Sequence, residues 1–107
     1  MPIEVRAAEL NALLRKAEIP LLMYVWAPWC PPCKAMAADI EKAAHQLEDR
    51  AVVVKLNAVS DSQALTAFNV ATVPSLILFS ENGQELARTL GYMTVNEICD
   101  WVDKNSQ

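Results

Sequence analysis

The stretch Leu21–Ala27, LLMYVWA, constrains this chain more than any other feature. A continuous apolar run of that length fits a strand, and such a strand carries apolar side chains on both faces of its sheet. A sheet that is apolar on both faces needs helices above and below it. The flanking sequence supplies them. Pro2–Val5 reads as a short strand, and Ala7–Ala17 as a helix with Leu10, Leu13, Leu14 and Ala17 on one face, ended by Pro20. Met36, Ala37, Ile40, Ala43, Ala44 and Leu47 keep helical spacing, and Ala51–Leu56 is β-branched and strand-like. Ser62–Phe68 reads as a short helix capped by Asp61 or Ser60. Ser75–Ser80 and Glu85–Leu90 flank Asn82-Gly83, a strong hairpin signal. Thr94 opens the last helix with Glu97 three residues on, a capping box, and Val95, Ile98, Cys99 and Val102 form its inner face. The order β-α-β-α-β-α-β-β-α predicts an α/β fold: one mixed sheet, helices on both faces, residues 1–107 as a single domain.

Composition removes several classes of function. The 107 residues carry a net charge of -4 with nine Lys and Arg, and no basic cluster, which argues against binding nucleic-acid phosphates. The longest apolar run, Ile19–Trp29, is broken by Pro20 and Pro28 and falls short of the roughly 20 residues a bilayer requires. Met1–Leu10 contains Glu4, Arg6 and Glu9 and no apolar core of a signal peptide, so the expected compartment is the cytoplasm, a trimmed periplasmic or secreted form being the alternative. Three cysteines are too few, and odd in number, for a disulfide framework.

The chemistry lies in residues 26–34, WAPWCPPCK. Cys30 and Cys33 fall where the buried strand meets a helix N-terminus. Unpaired N–H groups and the helix dipole lower a thiol's pKa there, and the thiolate is the nucleophile. Two intervening residues let the second sulfur fold back one turn onto the first. Two other readings compete: a pair of packed thiols, and a metal clip. A zinc site needs about four ligands. Beyond the pair the chain offers only Cys99, on an apolar helical stripe, and His45, on the solvent side of its helix, so no metal is expected.

At this point the chain resembles the thioredoxin family. WAPWCPPCK is similar to the family's W-A-x-W-C-x-P-C-K, and VVKLNA to its central strand. ATVPS resembles the loop whose cis-proline faces the cysteines, ENGQEL the hairpin, and GYMT the glycine-containing loop before the last helix. These motifs run in order from about Ala7 onward. The resemblance implies the thioredoxin fold. It also implies a redox-active Cys30–Cys33 pair, with Cys30 exposed and nucleophilic and Cys33 shielded and resolving. It implies substrate positioning by Pro74, whose preceding peptide bond is expected to be cis. Val73 would offer backbone groups to an extended peptide, and Trp29, Pro31, Gly91, Tyr92 and Met93 would line the groove.

Three departures from the family stand out. Pro31 replaces a residue that is often glycine. Pro32 suits the first helical position, and Pro31, preceding a proline, is expected to be extended, leaving the Cys33 and Lys34 amides as donors to the Cys30 sulfur. Tyr24 stands where the reductases carry a buried aspartate, while the lysine that accompanies that acid is matched by Lys55. Tyrosine, with a reference pKa near 10, is no base at neutral pH. It is read as packing, its hydroxyl bonded to Lys55 or water. Ala38 replaces a helix-kinking proline, so the second helix is expected to run straighter.

The function expected is thiol–disulfide exchange with protein disulfides, as a reductant. No prosthetic group is implied. The partners expected are disulfide-containing proteins and a reductase or dithiol electron donor, with no nucleic acid and no membrane, for a monomer. Two rivals stay open: an oxidant or isomerase in an oxidising compartment, and a non-catalytic binding module.

Overall fold

A computed structural model describes residues 2–106. The elements are β1 (Ile3–Val5), α1 (Ala7–Lys16), β2 (Leu21–Trp26), α2 (Pro31–Gln46), β3 (Val52–Asn57), α3 (Gln63–Ala67), β4 (Ser75–Phe79), β5 (Glu85–Leu90) and α4 (Val95–Asn105). Their order is the one the sequence predicts, with ends moved by a residue or so. The sheet runs β1-β3-β2-β4-β5. β1, β3 and β2 are parallel, β4 is antiparallel to β2, and β5 to β4.

β2 lies at the centre, and Leu21 to Val25 are all buried. Alternation along it feeds two cores. Leu21, Met23 and Val25 join Val54, Leu56, Ile77 and Phe79 beneath Leu10 of α1 and Ala64 of α3. Leu22 and Tyr24 join Val53, Leu76 and Leu78 beneath Met36 and Ile40 of α2 and Ile98 and Val102 of α4. Each such buried aliphatic side chain contributes about 1.5–3 kcal/mol, which is why the apolar run dictates both layers.

The ends are set by local chemistry. Thr94 and Glu97 form the expected capping box: the Glu97 N–H donates to Thr94 Oγ1 at 3.3 Å, and the Thr94 N–H to Glu97 Oε1 at 3.0 Å. The N-cap position of α3 is Ser62, not Asp61 or Ser60. A turn in which the Asp61 N–H donates to the Asn57 carbonyl carries the chain into this helix already wound. In the β4–β5 hairpin Gly83 has φ +80°, its N–H donates to the Ser80 carbonyl, and the Ser80 N–H to the Gln84 carbonyl. The turn thus spans Glu81, Asn82 and Gly83, with glycine supplying the left-handed residue. α2 runs unbroken through Ala38. Among the described residues no helix is long and apolar enough to cross a membrane.

Candidate active site

β2 delivers the chain to the helix through Ala27, whose carbonyl accepts from the Cys30 N–H at 3.2 Å. Cys30 is the N-cap of α2, in extended conformation (φ -91°, ψ 110°), and Pro31 and Pro32 occupy the first two helical positions. The expectation of an extended Pro31 is therefore corrected, and Pro32 sits second rather than first. The extended residue is Cys30, which itself precedes a proline. Proline's fixed φ suits the first turn, where N–H groups lack helical acceptors anyway.

Cys30 and Cys33 form a disulfide, with Cα atoms 5.2 Å apart. The Cys33 N–H points at Cys30 Sγ at 3.2 Å. The Lys34 amide does not serve the sulfur: it donates to the Cys30 carbonyl at 3.1 Å, closing the first helical turn. One backbone donor therefore remains for a Cys30 thiolate. The expected contrast in burial is also corrected, because each cysteine is 2% exposed. The cis Val73-Pro74 loop packs over the pair, with Val73 O 3.9 Å from Cys30 Sγ, a contact that covers the outer sulfur. Around them Trp29 stands 68% exposed, and Pro31, Pro32 and Tyr92 are exposed too.

A cleft of about 330 Å³ opens beside the disulfide, lined by Trp29, Ala58, Val59, Leu65 and residues 70–73. Of its lining, the sequence reading named Trp29 and Val73. Val70, Ala71 and Thr72 lie just before Val73-Pro74, a position that signals them, whereas Ala58, Val59 and Leu65 carry no such signal in the sequence. On the other side Gly91 has φ +89°, and a Cβ there would meet nothing within 4 Å. Its glycine thus serves backbone conformation, and its N–H donates to the Pro74 carbonyl at 2.9 Å. The Tyr92 hydroxyl donates to Asp39 Oδ2 at 2.9 Å, tying this loop to α2, while Met93 packs partly into the second core. Asp39 carries no signal of this role in the sequence, because its partner lies 53 residues away.

Beneath the pair, Tyr24 is 2% exposed and its hydroxyl donates to the Cys33 carbonyl at 2.9 Å. The expected partners, Lys55 or water, are replaced by the backbone of the inner cysteine. Burial pushes the Tyr24 phenol up to about 12, so it accepts no proton from a thiol near neutral pH. Lys55 instead approaches Glu4 Oε1 at 3.9 Å and lies 5.3 Å from the Trp26 ring centroid. Register explains this, since Glu4, Lys55 and Tyr24 lie side by side on β1, β3 and β2. A small cavity of about 100 Å³ joins Cys33 to Lys55, walled by Tyr24, Trp26, Lys34 and Ala37.

Cys99 is 7% exposed, near Gln46 Oε1 at 3.5 Å, and burial pushes its thiol pKa up. Among the described residues no group of three or more His, Cys, Asp or Glu could hold a metal ion.

A profile of the family described as Thioredoxin matches residues 1–104. A thioredoxin from Haemophilus influenzae is 31% identical over 96% of this chain and 95% of its own length. Thioredoxin 1 from Chlorobaculum tepidum is 38% identical over 79% of this chain and 83% of its own. Chloroplastic thioredoxin z has a similar structure, with a TM-score of 0.87 at 19% identity over 96% of this chain and 92% of that one.

Proposed function

The chain belongs to the thioredoxin family of thiol–disulfide oxidoreductases, and on that premise we propose how its residues divide the work. Cys30 is the attacking sulfur and Cys33 the resolving one. The observation that carries this is the disulfide at the start of α2, where the Cys33 N–H points at Cys30 Sγ. In the reduced protein that donor and the helix N-terminus stabilise a Cys30 thiolate.

The thiolate attacks one sulfur of a substrate disulfide. A Cys30–substrate bond forms, the substrate S–S bond breaks, and one substrate thiolate leaves. Cys33 loses its proton and attacks Cys30 Sγ, releasing the second substrate thiolate and restoring the Cys30–Cys33 bond. Two electrons pass to the substrate, and a reductase or another dithiol protein returns them. Val73 and Pro74 align an extended substrate strand, and Trp29, Pro31, Gly91 and Tyr92 wall its path. Lys55 and Tyr24 modulate the inner cysteine. The protein works as a monomer of one domain, in the cytoplasm, on protein disulfides.

The test is reduction of insulin disulfides, together with trapping. Wild type should turn over insulin, Cys30→Ser should not, and Cys33→Ser should accumulate a covalent mixed disulfide through Cys30. Equal trapping by both serine variants would refute the division of roles. A reduction potential measured against glutathione decides direction, since about 30 mV is a tenfold shift for this two-electron couple. A strongly oxidising value would assign the protein to disulfide formation instead.

A further inference from the structure

The cleft beside the disulfide owes its outer wall to a residue remote from the sulfurs. α3 ends at Ala67, and Asn69 turns left-handed at φ +56°. The Val70 N–H donates to the Leu65 carbonyl at 2.7 Å and the Asn69 N–H to the Thr66 carbonyl at 3.2 Å, the paired bonds of a left-handed helix cap. This turn launches residues 70–73, which line the cleft and end at the cis Val73-Pro74 bond.

Arg88 on β5 reaches across to that turn. Its Nη1 donates to the Asn69 carbonyl and its Nη2 to the Phe68 carbonyl, both at 2.9 Å. Glu85, on the same strand, holds the guanidinium from the other side with bonds of 2.6 and 2.7 Å. The planar fork makes four bonds at once, to two carbonyls and to both oxygens of the carboxylate, whereas an ammonium has three donors radiating from one atom. The far end of the wall is tied independently: Ser75 Oγ donates to the Thr72 carbonyl, and the Gly91 N–H, just past β5, to the Pro74 carbonyl. The wall thus hangs between two anchors, both placed by the β4–β5 hairpin.

We propose that Arg88 is a positioning residue for protein substrates, which fixes the cleft wall leading to Val73 by clamping the end of α3. The proposal rests on the reading that Val73 and Pro74 align the substrate strand, and adds that the strand continues along this cleft. A small disulfide needs only the sulfurs, whereas a polypeptide must also lie against the wall. Loosening the wall therefore weakens capture of the polypeptide and leaves exchange at Cys30 intact.

The experiment compares wild type, Arg88→Ala and Arg88→Lys with insulin and with the small aromatic disulfide 5,5′-dithiobis(2-nitrobenzoate). For Arg88→Ala, KM for insulin should rise about fivefold to tenfold, as expected for charge-assisted bonds partly open to water, with kcat within about twofold. The rate with the small disulfide should stay within about twofold, and amide exchange at residues 70–73 should quicken. Arg88→Lys keeps the charge near Glu85 but has no planar fork and too few donors for the four bonds, so KM should still rise if the alanine variant fails to fold. An active wild type whose KM is unchanged in Arg88→Lys and in folded Arg88→Ala would overturn the clamp alone. Equal loss on both disulfides would also overturn it. A wild type inactive on both would overturn the reading of the site itself.

Discussion

Tyr24→Phe removes one oxygen atom from the floor of the site, and its consequences can be worked out with sign and size. At neutral pH the variant loses the hydrogen bond from the phenol to the Cys33 carbonyl. A bond of this kind contributes about 1 kcal/mol net, so the variant should be less stable by roughly that amount, with Tm lower by about 4–8 °C. Alkali reverses the order. Burial raises the phenol from 10.0 to about 12 in the folded protein. Between those values the unfolded chain has lost the proton and the folded chain still holds it, so stability falls as pH rises. One unit above the unfolded pKa the loss is about 1.4 kcal/mol. Wild type therefore forfeits by about pH 11 what the hydrogen bond contributes at pH 7, and the two stability curves should cross near there. Tyr92 titrates in the alkaline range as well, its pKa raised by Asp39. It is present in both proteins and cancels in the difference. The assay is urea unfolding of both oxidised proteins from pH 7 to 11. Curves that stay parallel, or a gap that widens with pH, would refute the buried, hydrogen-bonded phenol.

Two further outcomes are expected. In the reduced native protein Cys30 should alkylate before Cys99, because the Cys33 N–H and the helix N-terminus stabilise the Cys30 thiolate while desolvation raises the Cys99 thiol pKa, and peptide mapping by mass reads the order directly. Thr94→Ala should cost about 1 kcal/mol in denaturant unfolding by removing the cap of α4, while insulin reduction per folded molecule stays unchanged.

Periodicity made most of the architecture legible. The run Leu21–Ala27 demanded two helical layers, and Thr94 with Glu97 marked the start of α4 because capping is chemistry between near neighbours. The cysteine pair and Val73-Pro74 stood out for the same reason, as short patterns with a local cause. What stayed hidden depends on contacts distant in sequence. Nothing around Tyr24 tells that its hydroxyl meets the Cys33 carbonyl rather than Lys55, since that depends on how α2 settles over β2. The equal burial of Cys30 and Cys33 arises from a loop more than forty residues away. Arg88 looks like an ordinary edge-strand cation until Phe68 and Asn69 are seen beside it. Pro31 differs for another reason: the bias of a residue before proline toward extended backbone is local, and at the first position of α2 the helix overrides it.

The Cys30–Cys33 bond closes a ring of very short span, with a sequence separation of 3. In chain-entropy terms a cross-link stabilises a fold by the conformations it denies the unfolded chain, and that number grows with the ring. A ring this small withholds only about 2 kcal/mol, against about 4.7 for a ring of 100 residues. The bond is thus a poor staple. A bond that contributes so little can be given up and taken back at small cost to the fold. A long-range bridge in the same scaffold would have tied its electrons to its own survival.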